Sequence, residues 1–377
     1  MDTIYPLDDE RPTRAEIRLG ALRRNFARAK ALAGAGVKVM AVVKANAYGH
    51  GLERVAREFL AAGADSLGVA FLEEGDFLRR AGIDAPILVL GPAATPQIPR
   101  FIELGLEATV PSIEKASAFS DAALAMGRKA RVHLKFDTGM ERIGVHWYSA
   151  APFVDAVLGM GGLVLAGAFT HFATADDDLD FAKVQLGRFH EVIRLLESRG
   201  ARPPLLHAAN SAALVALPEA RLDLVRPGLM LYGYEPVPEK PVGLEPVMRL
   251  MSRISYFKVA RAGAALGYGS TWRLERDSRV ATVPAGYGDG YSRLLSNRGR
   301  AIVRGRSYPV AGRVCMDQFL LDLGPDGEAY NGDEVLLFGE KNGDRVPLEE
   351  LCALMGTIPY EATCMIASRV PRIYVEE

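Results

Sequence analysis

The segment VKVMAVVKANAYGHGLERVAREFLA, residues 37–61, indicates how this chain folds. Its first seven residues are mostly apolar and rich in valine, which is typical of a strand that is buried on both faces. Residues 52–61 form an Ala/Leu-rich stretch with helical spacing. The segment therefore predicts a buried strand followed by a helix, with Lys44 at the end of the strand.

The same strand–helix unit recurs along the first two thirds of the chain. Helices are predicted at residues 52–61, 73–81, 112–126 and 181–198. Eight strands are predicted, at residues 37–43, 66–70, 87–90, 107–110, 131–136, 163–170, 205–208 and 222–225. This α/β pattern favours a TIM-like (β/α)8 barrel, although the pattern alone leaves open a doubly wound sheet.

The pattern changes at residues 234–246, which contain four prolines and predict a linker. Beyond it, short strands are predicted at residues 249–259, 279–283, 300–303, 318–323 and 334–338, and only residues 347–355 are predicted to be helical. We assign residues 13–240 to the barrel and residues 241–377 to a mainly β domain, on which residues 1–12 are expected to pack.

The composition excludes several classes of protein. The 377 residues carry 45 Lys and Arg against 46 Asp and Glu, so there is no positive surplus for binding nucleic acid. Three widely spaced cysteines predict neither a disulfide framework nor a metal site, and they suit the cytoplasm. The acidic N-terminus does not resemble a signal peptide, and no apolar stretch is long enough for a membrane span.

Lys44 is the first candidate for chemistry. Active sites of barrels lie at the carboxyl ends of the strands, where a partly desolvated amine becomes a nucleophile that can attack an aldehyde cofactor. Position alone also allows, and favours, a lysine that extends into solvent. The loops after strands seven and eight are the usual phosphate site of barrels, and they contain Ser211, expected as a helix N-cap, and Gly228. Ser211 as an ordinary cap without a ligand also remains open.

Nine motifs, in order from residue 41 to residue 372, resemble those of alanine racemases. They are AVVKANAYGHG (41–51), HLKFDTGMERIG (133–144), HFA (171–173), HAANSAA (207–213), RPG (226–228), GYGSTW (267–272), AGYGDGY (285–291), VCMDQ (314–318) and IPYEATCMIASRVPR (358–372). The resemblance covers nearly the whole chain. It implies a barrel followed by a β domain, in a homodimer that binds pyridoxal 5'-phosphate.

The resemblance also implies roles for individual residues. Lys44 would hold the cofactor and exchange protons with the substrate, opposite Tyr268 of the partner subunit, and His171 and Arg226 would support that tyrosine. Arg226 would also face the pyridine nitrogen. Arg142 and Met316 would bind the substrate carboxylate, Lys135 would be a possible carbamylation site beside Arg142, and Tyr287 and Tyr291 would narrow the entrance. The remaining cofactor ligands would be Tyr48, His207, Asn210, Ser211, Gly228 and Tyr360.

These features predict a cytoplasmic enzyme that interconverts L- and D-alanine and supplies D-alanine for peptidoglycan. Three alternatives stay open. A broad-specificity racemase would differ only in the packing of its pocket. A non-catalytic pyridoxal-phosphate barrel would share Lys44 but would not need Tyr268 or Met316. A barrel-type decarboxylase is disfavoured because the chain has no Gly-Gly-Gly phosphate loop. Arg226 and Lys135 also have structural interpretations, as a carboxylate-paired strand cap and a surface lysine.

Overall fold

The computed structural model describes residues 11–377 and divides into two compact units. The barrel unit comprises Leu22–Ala47 and Leu52–Glu245, and the β unit comprises residues 11–21, Tyr48–Gly51 and Pro246–Glu377. Residues 1–10 lie outside the described residues, so their expected packing on the β domain stays a prediction. Within residues 11–377, no helix combines the length and the apolar character that crossing a bilayer requires.

The barrel unit contains the eight predicted strands, each parallel to its neighbours and hydrogen-bonded in chain order, with the eighth strand paired to the first. Two backbone hydrogen bonds join the seventh and eighth strands, from Asp223 N to Leu206 O and from Arg226 N to Ala209 O, both 3.0 Å. The eight strands therefore form a nearly closed parallel barrel, and the doubly wound alternative is excluded. The strands are Lys38–Val42, Ser66–Val69, Ile87–Pro92, Glu107–Val110, Ala130–Asp137, Leu163–Phe169, Leu205–His207 and Leu224–Val225, with a short strand Val145–His146 beside the fifth.

Helices follow the strands, and two of the longest begin at a residue whose side chain caps the helix. The Ser112 hydroxyl accepts a hydrogen bond from Lys115 N at 3.2 Å, and Asp178 accepts one from Phe181 N at 3.0 Å. The α-helices are Leu19–Ala33, Leu52–Ala61, Leu72–Arg80, Ile98–Glu103, Ile113–Ala125, Ala150–Leu158, Leu179–Ser198 and Ser211–Ala216; 3₁₀ turns occur at Thr95–Gln97, Trp147–Ser149, Pro218–Ala220 and Leu229–Tyr232.

The β unit is built on a main sheet of seven strands. Six follow one another in the order Arg306–Pro309, Arg300–Val303, Glu334–Lys341, Met248–Arg253, Arg14–Arg18 and Arg372–Val375, and Asp344–Val346 pairs with Glu334–Lys341. A smaller sheet has the order Tyr256–Ala260, Ser278–Val283 and Phe319–Gly324, and Ala265–Leu266 pairs with Trp272–Arg273. The α-helices of this unit are Leu348–Met355 and Pro359–Cys364; 3₁₀ turns occur at Tyr268–Ser270, Tyr287–Asp289 and Arg293–Leu295.

Three features of the β unit differ from the sequence-based expectation. Arg14–Arg18 falls within the range assigned to the barrel, but it pairs with strands Met248–Arg253 and Arg372–Val375. The predicted strand at residues 249–259 is two strands that belong to different sheets. Pro359–Cys364 is a helix that was not expected, because six residues are too few to show a helical period.

Candidate active site

Lys44 begins a left-handed turn, Lys44–Tyr48, directly after the first barrel strand. Ala45, Asn46 and Ala47 have φ values of 54°, 55° and 53°, each of which costs roughly 1–2 kcal/mol for a residue other than glycine. The surrounding barrel unit holds the turn, since Glu74 Oε1 accepts from Ala45 N at 2.5 Å and Asn46 Oδ1 accepts a hydrogen bond from the next helix. The strand-end position of Lys44 was predictable, whereas the left-handed turn was not.

The loop that carries Arg142 is organised by Asp137, the last residue of the fifth strand. Asp137 Oδ1 accepts hydrogen bonds from Gly139 N at 2.8 Å and Met140 N at 3.0 Å, and Oδ2 accepts one from Arg142 N at 3.1 Å. Burial would raise the pKa of Asp137, but these backbone donors outweigh burial and lower it. The ionised carboxylate therefore fixes the backbone of Arg142.

Lys135 lies on the same strand and is 5% exposed. Its Nζ donates to Phe136 O at 2.9 Å and lies 5.2 Å from the centre of the Phe169 ring. Burial lowers the pKa of Lys135 to about 7, and the nearby positive charges of Arg226 and Arg142 add to this effect. Lys135 is thus an interior residue, and the interpretation as a surface lysine is wrong.

Arg226 follows the eighth strand and is 4% exposed. Its Nη2 donates to Thr170 O at 2.9 Å and to Ala208 O at 3.0 Å, and its Nη1 lies 2.8 Å from His207 Nδ1. Among residues 11–377, no carboxylate pairs with this guanidinium, so the interpretation as a carboxylate-paired cap is wrong. Burial lowers the pKa of Arg226 to about 9.

His171 lies near four cationic side chains of the barrel unit. Its Nδ1 lies 3.3 Å from Arg226 Nη2, which can only donate, so the ring accepts at Nδ1. Burial lowers the pKa of His171 well below 6.5, as do the charges of Arg226, Lys135, Arg142 and Lys44, in decreasing order. These five residues were predicted from four of the motifs, and the four cationic side chains make the region around His171 positive, which suits anionic ligands.

The loops after strands seven and eight are tied together by Ser211. Its Oγ accepts from Gly228 N at 2.9 Å and from Met230 N at 3.4 Å. The predicted N-cap is wrong by one residue: Asn210 is the cap, with its Oδ1 accepting from Ala213 N at 2.9 Å, and Ser211 is the first helical residue. An amide accepts as well as a hydroxyl at this position, so residue type alone does not separate the two.

The β unit holds the other predicted site residues. The Tyr48 and Tyr360 rings lie 5.9 Å apart between centroids. Tyr268, Tyr287 and Met316 line one cavity of about 560 Å³ and are exposed, Tyr268 by 73%. Tyr291 does not narrow an entrance, because it is 2% exposed and stacks on Phe319 with a centroid distance of 4.8 Å.

Sequence reasoning missed Glu107, His133 and Phe169, which surround His207. The rings of Phe169 and His207 stack with centroids 4.7 Å apart and an interplanar angle of 6°. His207 Nε2 lies 2.8 Å from His133 Nδ1, and His133 Nε2 lies 2.9 Å from Glu107 Oε2. The available signal was a carboxylate and an imidazole within apolar strands, where a buried polar side chain needs a partner.

Comparison with known proteins gives the family. The model for the alanine racemase N-terminal domain matches residues 17–236, and that for the alanine racemase C-terminal domain matches residues 247–374. The chain belongs to the alanine racemase family. The alanine racemase of Desulfovibrio desulfuricans is 45% identical over 97% of this chain and 99% of its own length, and that of Desulforamulus reducens is 44% identical over 97% and 99%.

Solved alanine racemase structures share the whole fold. The enzyme of Clostridium difficile superimposes with a TM-score of 0.93 at 36% identity, over 98% of this chain and 97% of that one. The enzyme of Bacillus anthracis, solved with bound L-Ala-P, gives a TM-score of 0.92 at 35% identity, over 98% and 96%. The resemblance to alanine racemases, the barrel-plus-β fold class and the class of enzyme expected from the sequence are confirmed.

Proposed function

We propose that this protein interconverts L- and D-alanine with pyridoxal 5'-phosphate. The observation that carries the proposal is the placement of Lys44 on a constrained turn at the strand ends of the barrel unit, near His171 and Arg226. The family's relatives, several of which are named alanine racemase, support the same activity.

The residues of the barrel unit fit such a cofactor. Arg226 is a buried cation without a carboxylate partner among residues 11–377, and its Nε is not used in the hydrogen bonds described above. The nitrogen of an aromatic ring would provide a further hydrogen-bond acceptor for this guanidinium. The positive region around His171 suits a phosphate. The proposed ligands are Lys44, Tyr48, His207, Asn210, Ser211, Arg226, Gly228 and Tyr360.

The cofactor, when bound, withdraws electrons from the substrate's α-carbon and so makes its proton removable. Lys44 Nζ would take or return that proton on one face, and the hydroxyl of Tyr268 of the partner subunit would do so on the other. The two groups exchange roles with the direction of the reaction, because each enantiomer presents its proton to a different face. The 73% exposure of Tyr268 supports its donation to a second subunit in a homodimer.

Binding of the substrate carboxylate is proposed for Arg142 and for Met316 of the partner subunit. A guanidinium recognises a carboxylate with two parallel hydrogen bonds. Asp137 already fixes the Arg142 backbone, which reduces the cost of ordering this side chain. Tyr287, which lines the same cavity as Met316, would limit the size of the substrate.

The physiological proposal is the supply of D-alanine for peptidoglycan in the cytoplasm. The cysteines of the chain support a reducing location, since Cys315 and Cys352 are free thiols.

The test combines chiral analysis with three substitutions. The purified protein is incubated with a panel of L-amino acids, and D-alanine is expected as the main product; equal conversion of bulkier residues would instead indicate a broad-specificity racemase. Lys44→Ala is expected to abolish both the visible absorbance of the bound cofactor and the turnover. Tyr268→Phe is expected to keep the absorbance and to lose most turnover in both directions, whereas Tyr256→Phe, at another exposed tyrosine of the β unit, retains it. Normal turnover in Lys44→Ala contradicts the proposal.

A further inference from the structure

A continuous line of hydrogen bonds runs through the barrel unit and ends at Arg226. Arg226 Nη1 lies 2.8 Å from His207 Nδ1, His207 Nε2 lies 2.8 Å from His133 Nδ1, and His133 Nε2 lies 2.9 Å from Glu107 Oε2. All four side chains are at most 4% exposed. Glu107 begins the fourth barrel strand and Arg226 follows the eighth, so the line spans the barrel from the amino ends to the carboxyl ends of its strands.

The chemistry of the two ends determines where every proton lies. A guanidinium can only donate, so His207 must accept at Nδ1 and carry its proton on Nε2. His133 must then accept at Nδ1 and carry its own proton on Nε2, which it donates to Glu107. A second proton on either ring would place two N–H groups against each other. The line therefore has one direction, from a cation to a carboxylate, through two neutral imidazoles.

The carboxylate end is held ionised. Arg131 Nε donates to Glu107 Oε1 at 2.9 Å, and the Arg131 side chain is 53% exposed. Burial would raise the pKa of Glu107, but the hydrogen bonds from His133 and Arg131 outweigh burial and lower it. Glu107 is thus a negative charge inside the barrel unit, with one oxygen for His133 and the other for Arg131.

The packing around the line leaves the imidazoles no other arrangement. Phe169 stacks on His207, and Arg226 Cζ lies 5.3 Å from the centre of the Phe169 ring. At Gly167 a Cβ would lie 2.3 Å from His133 Nδ1, so only glycine leaves room for the hydrogen bond between the two histidines. A buried polar group that loses its hydrogen-bond partner destabilises the fold, so each member of the line depends on the next.

We propose that Glu107 is a positioning residue which, through His133 and His207, fixes the orientation and the positive charge of Arg226. Each donor in the line points away from Arg226, so the carboxylate at the far end polarises both imidazoles and stabilises the guanidinium. The proton positions depend only on these four side chains. The consequence for the cofactor rests on the proposed function: Arg226 stays a donor toward the ring nitrogen, and the ring does not gain a proton there.

The first experiment uses the full-length protein without cofactor and measures ¹⁵N–¹H spectra of labelled histidine side chains. Variants His133→Asn and His207→Asn assign the signals. In the wild-type protein at neutral pH, both rings are expected to be neutral and protonated on Nε2. Protonation on Nδ1, or on both nitrogens, in either ring overturns the proposal even if no Glu107 variant folds.

Three variants then test the role of Glu107. Glu107→Leu removes the acceptor and leaves the His133 Nε2–H without its partner, so the signal of that proton is expected to move and to exchange faster with water, while Arg226 still sets both tautomers. Glu107→Gln has a single oxygen; because the exposed Arg131 can turn to solvent, that oxygen is expected to accept from His133 Nε2, so the His133 Nε2–H signal is expected to stay near its wild-type position and both tautomers to persist. Arg131→Gln leaves the line intact and serves as the control, with tautomers unchanged. A folded Glu107→Leu whose histidine spectra match the wild type overturns the proposal.

The second readout uses the protein loaded with pyridoxal 5'-phosphate. In Glu107→Leu, kcat for alanine is expected to fall at least tenfold with KM changed less than twofold, and the pH dependence of the cofactor's visible absorbance is expected to shift. Unchanged kcat and absorbance in that variant contradict the positioning role. A wild-type protein that has the assigned tautomers but never takes up the cofactor contradicts the proposed function and supports the hydrogen-bond line itself.

Discussion

Lys135 is expected to react with carbon dioxide far more readily than an ordinary lysine. Only a neutral amine attacks carbon dioxide, forming an N–C bond and releasing one proton to solvent. With a pKa of about 7, about 0.9 of the Lys135 amines are neutral at pH 8, against about 0.003 for a lysine at the usual value of 10.5. At a given concentration of dissolved carbon dioxide, Lys135 therefore presents about 300 times more neutral amine than an ordinary lysine.

The physical benefit of this modification is electrostatic. An uncharged or positive Lys135 faces the charges of Arg226 and Arg142, and a carbamate replaces it with an anion. The two guanidinium groups then gain a favourable interaction that the unmodified amine, which is mostly neutral above pH 7, does not provide. The carbamate would also help to hold the Arg142 side chain in place for a substrate carboxylate.

The assay is ¹³C NMR of the protein in labelled bicarbonate between pH 6 and pH 9. The carbamate signal is expected to rise through pH 7, because the lowered pKa makes the amine neutral above that value. Lys135→Arg is expected to lose the signal, whereas Lys129→Arg, at an exposed lysine, is expected to keep it. The reasoning is refuted by a signal that survives in Lys135→Arg, or by none at pH 8.

Two further predictions concern backbone geometry. Glu74→Gln removes the negative charge that accepts hydrogen bonds from three backbone N–H groups, and a hydrogen bond to a charged group contributes about 1.5–3 kcal/mol. The amide that follows Lys44 is therefore expected to exchange its hydrogen roughly ten to a hundred times faster. Glu73→Gln is the control, and equal exchange rates in the two variants would show that Glu74 does not hold the turn. Gly49→Ala places a Cβ 2.2 Å from Thr363 O at φ +82°, so it is expected to lower the free energy of unfolding by several kcal/mol. Gly82→Ala has a similar φ of +75° but open space around the Cβ, so it is expected to lower that free energy by only about 1–2 kcal/mol. Equal decreases in the two variants would show that the contact with Thr363 O costs nothing.

The strands of the barrel unit were predictable because their signal is local. A strand that is buried on both faces favours a continuous apolar run, and residues 39–43 and 87–90 each form one. The position of Lys44 followed from the same run, since the strand must end where the apolar residues end. The motif resemblance then supplied residue roles that no local pattern contains.

Pairing between distant segments was not predictable. Arg14–Arg18 reads as a strand in either unit, and only its hydrogen bonds to Met248–Arg253 and Arg372–Val375 assign it to the β unit. The break that divides residues 249–259 between two sheets leaves no turn residue such as Gly or Pro in the sequence. Such choices depend on which surfaces are available to pair, and that information lies elsewhere in the chain.

The amino-acid order alone was therefore enough to predict eight barrel strands, a β unit and the chemical type of most site residues, because apolar periodicity and motif spacing are short-range properties. The closure of the barrel was decided by the tertiary structure, since it depends on pairing between the first and the eighth strand. Three-dimensional packing was needed for the burial of Lys135, the left-handed turn behind Lys44 and the line from Glu107 to Arg226. Each of these depends on the burial of a charge or a strained backbone by residues far away in the chain. The desolvation of a side chain and the direction of its hydrogen bonds depend on all the residues packed around it. Those residues come together only when the barrel strands have paired.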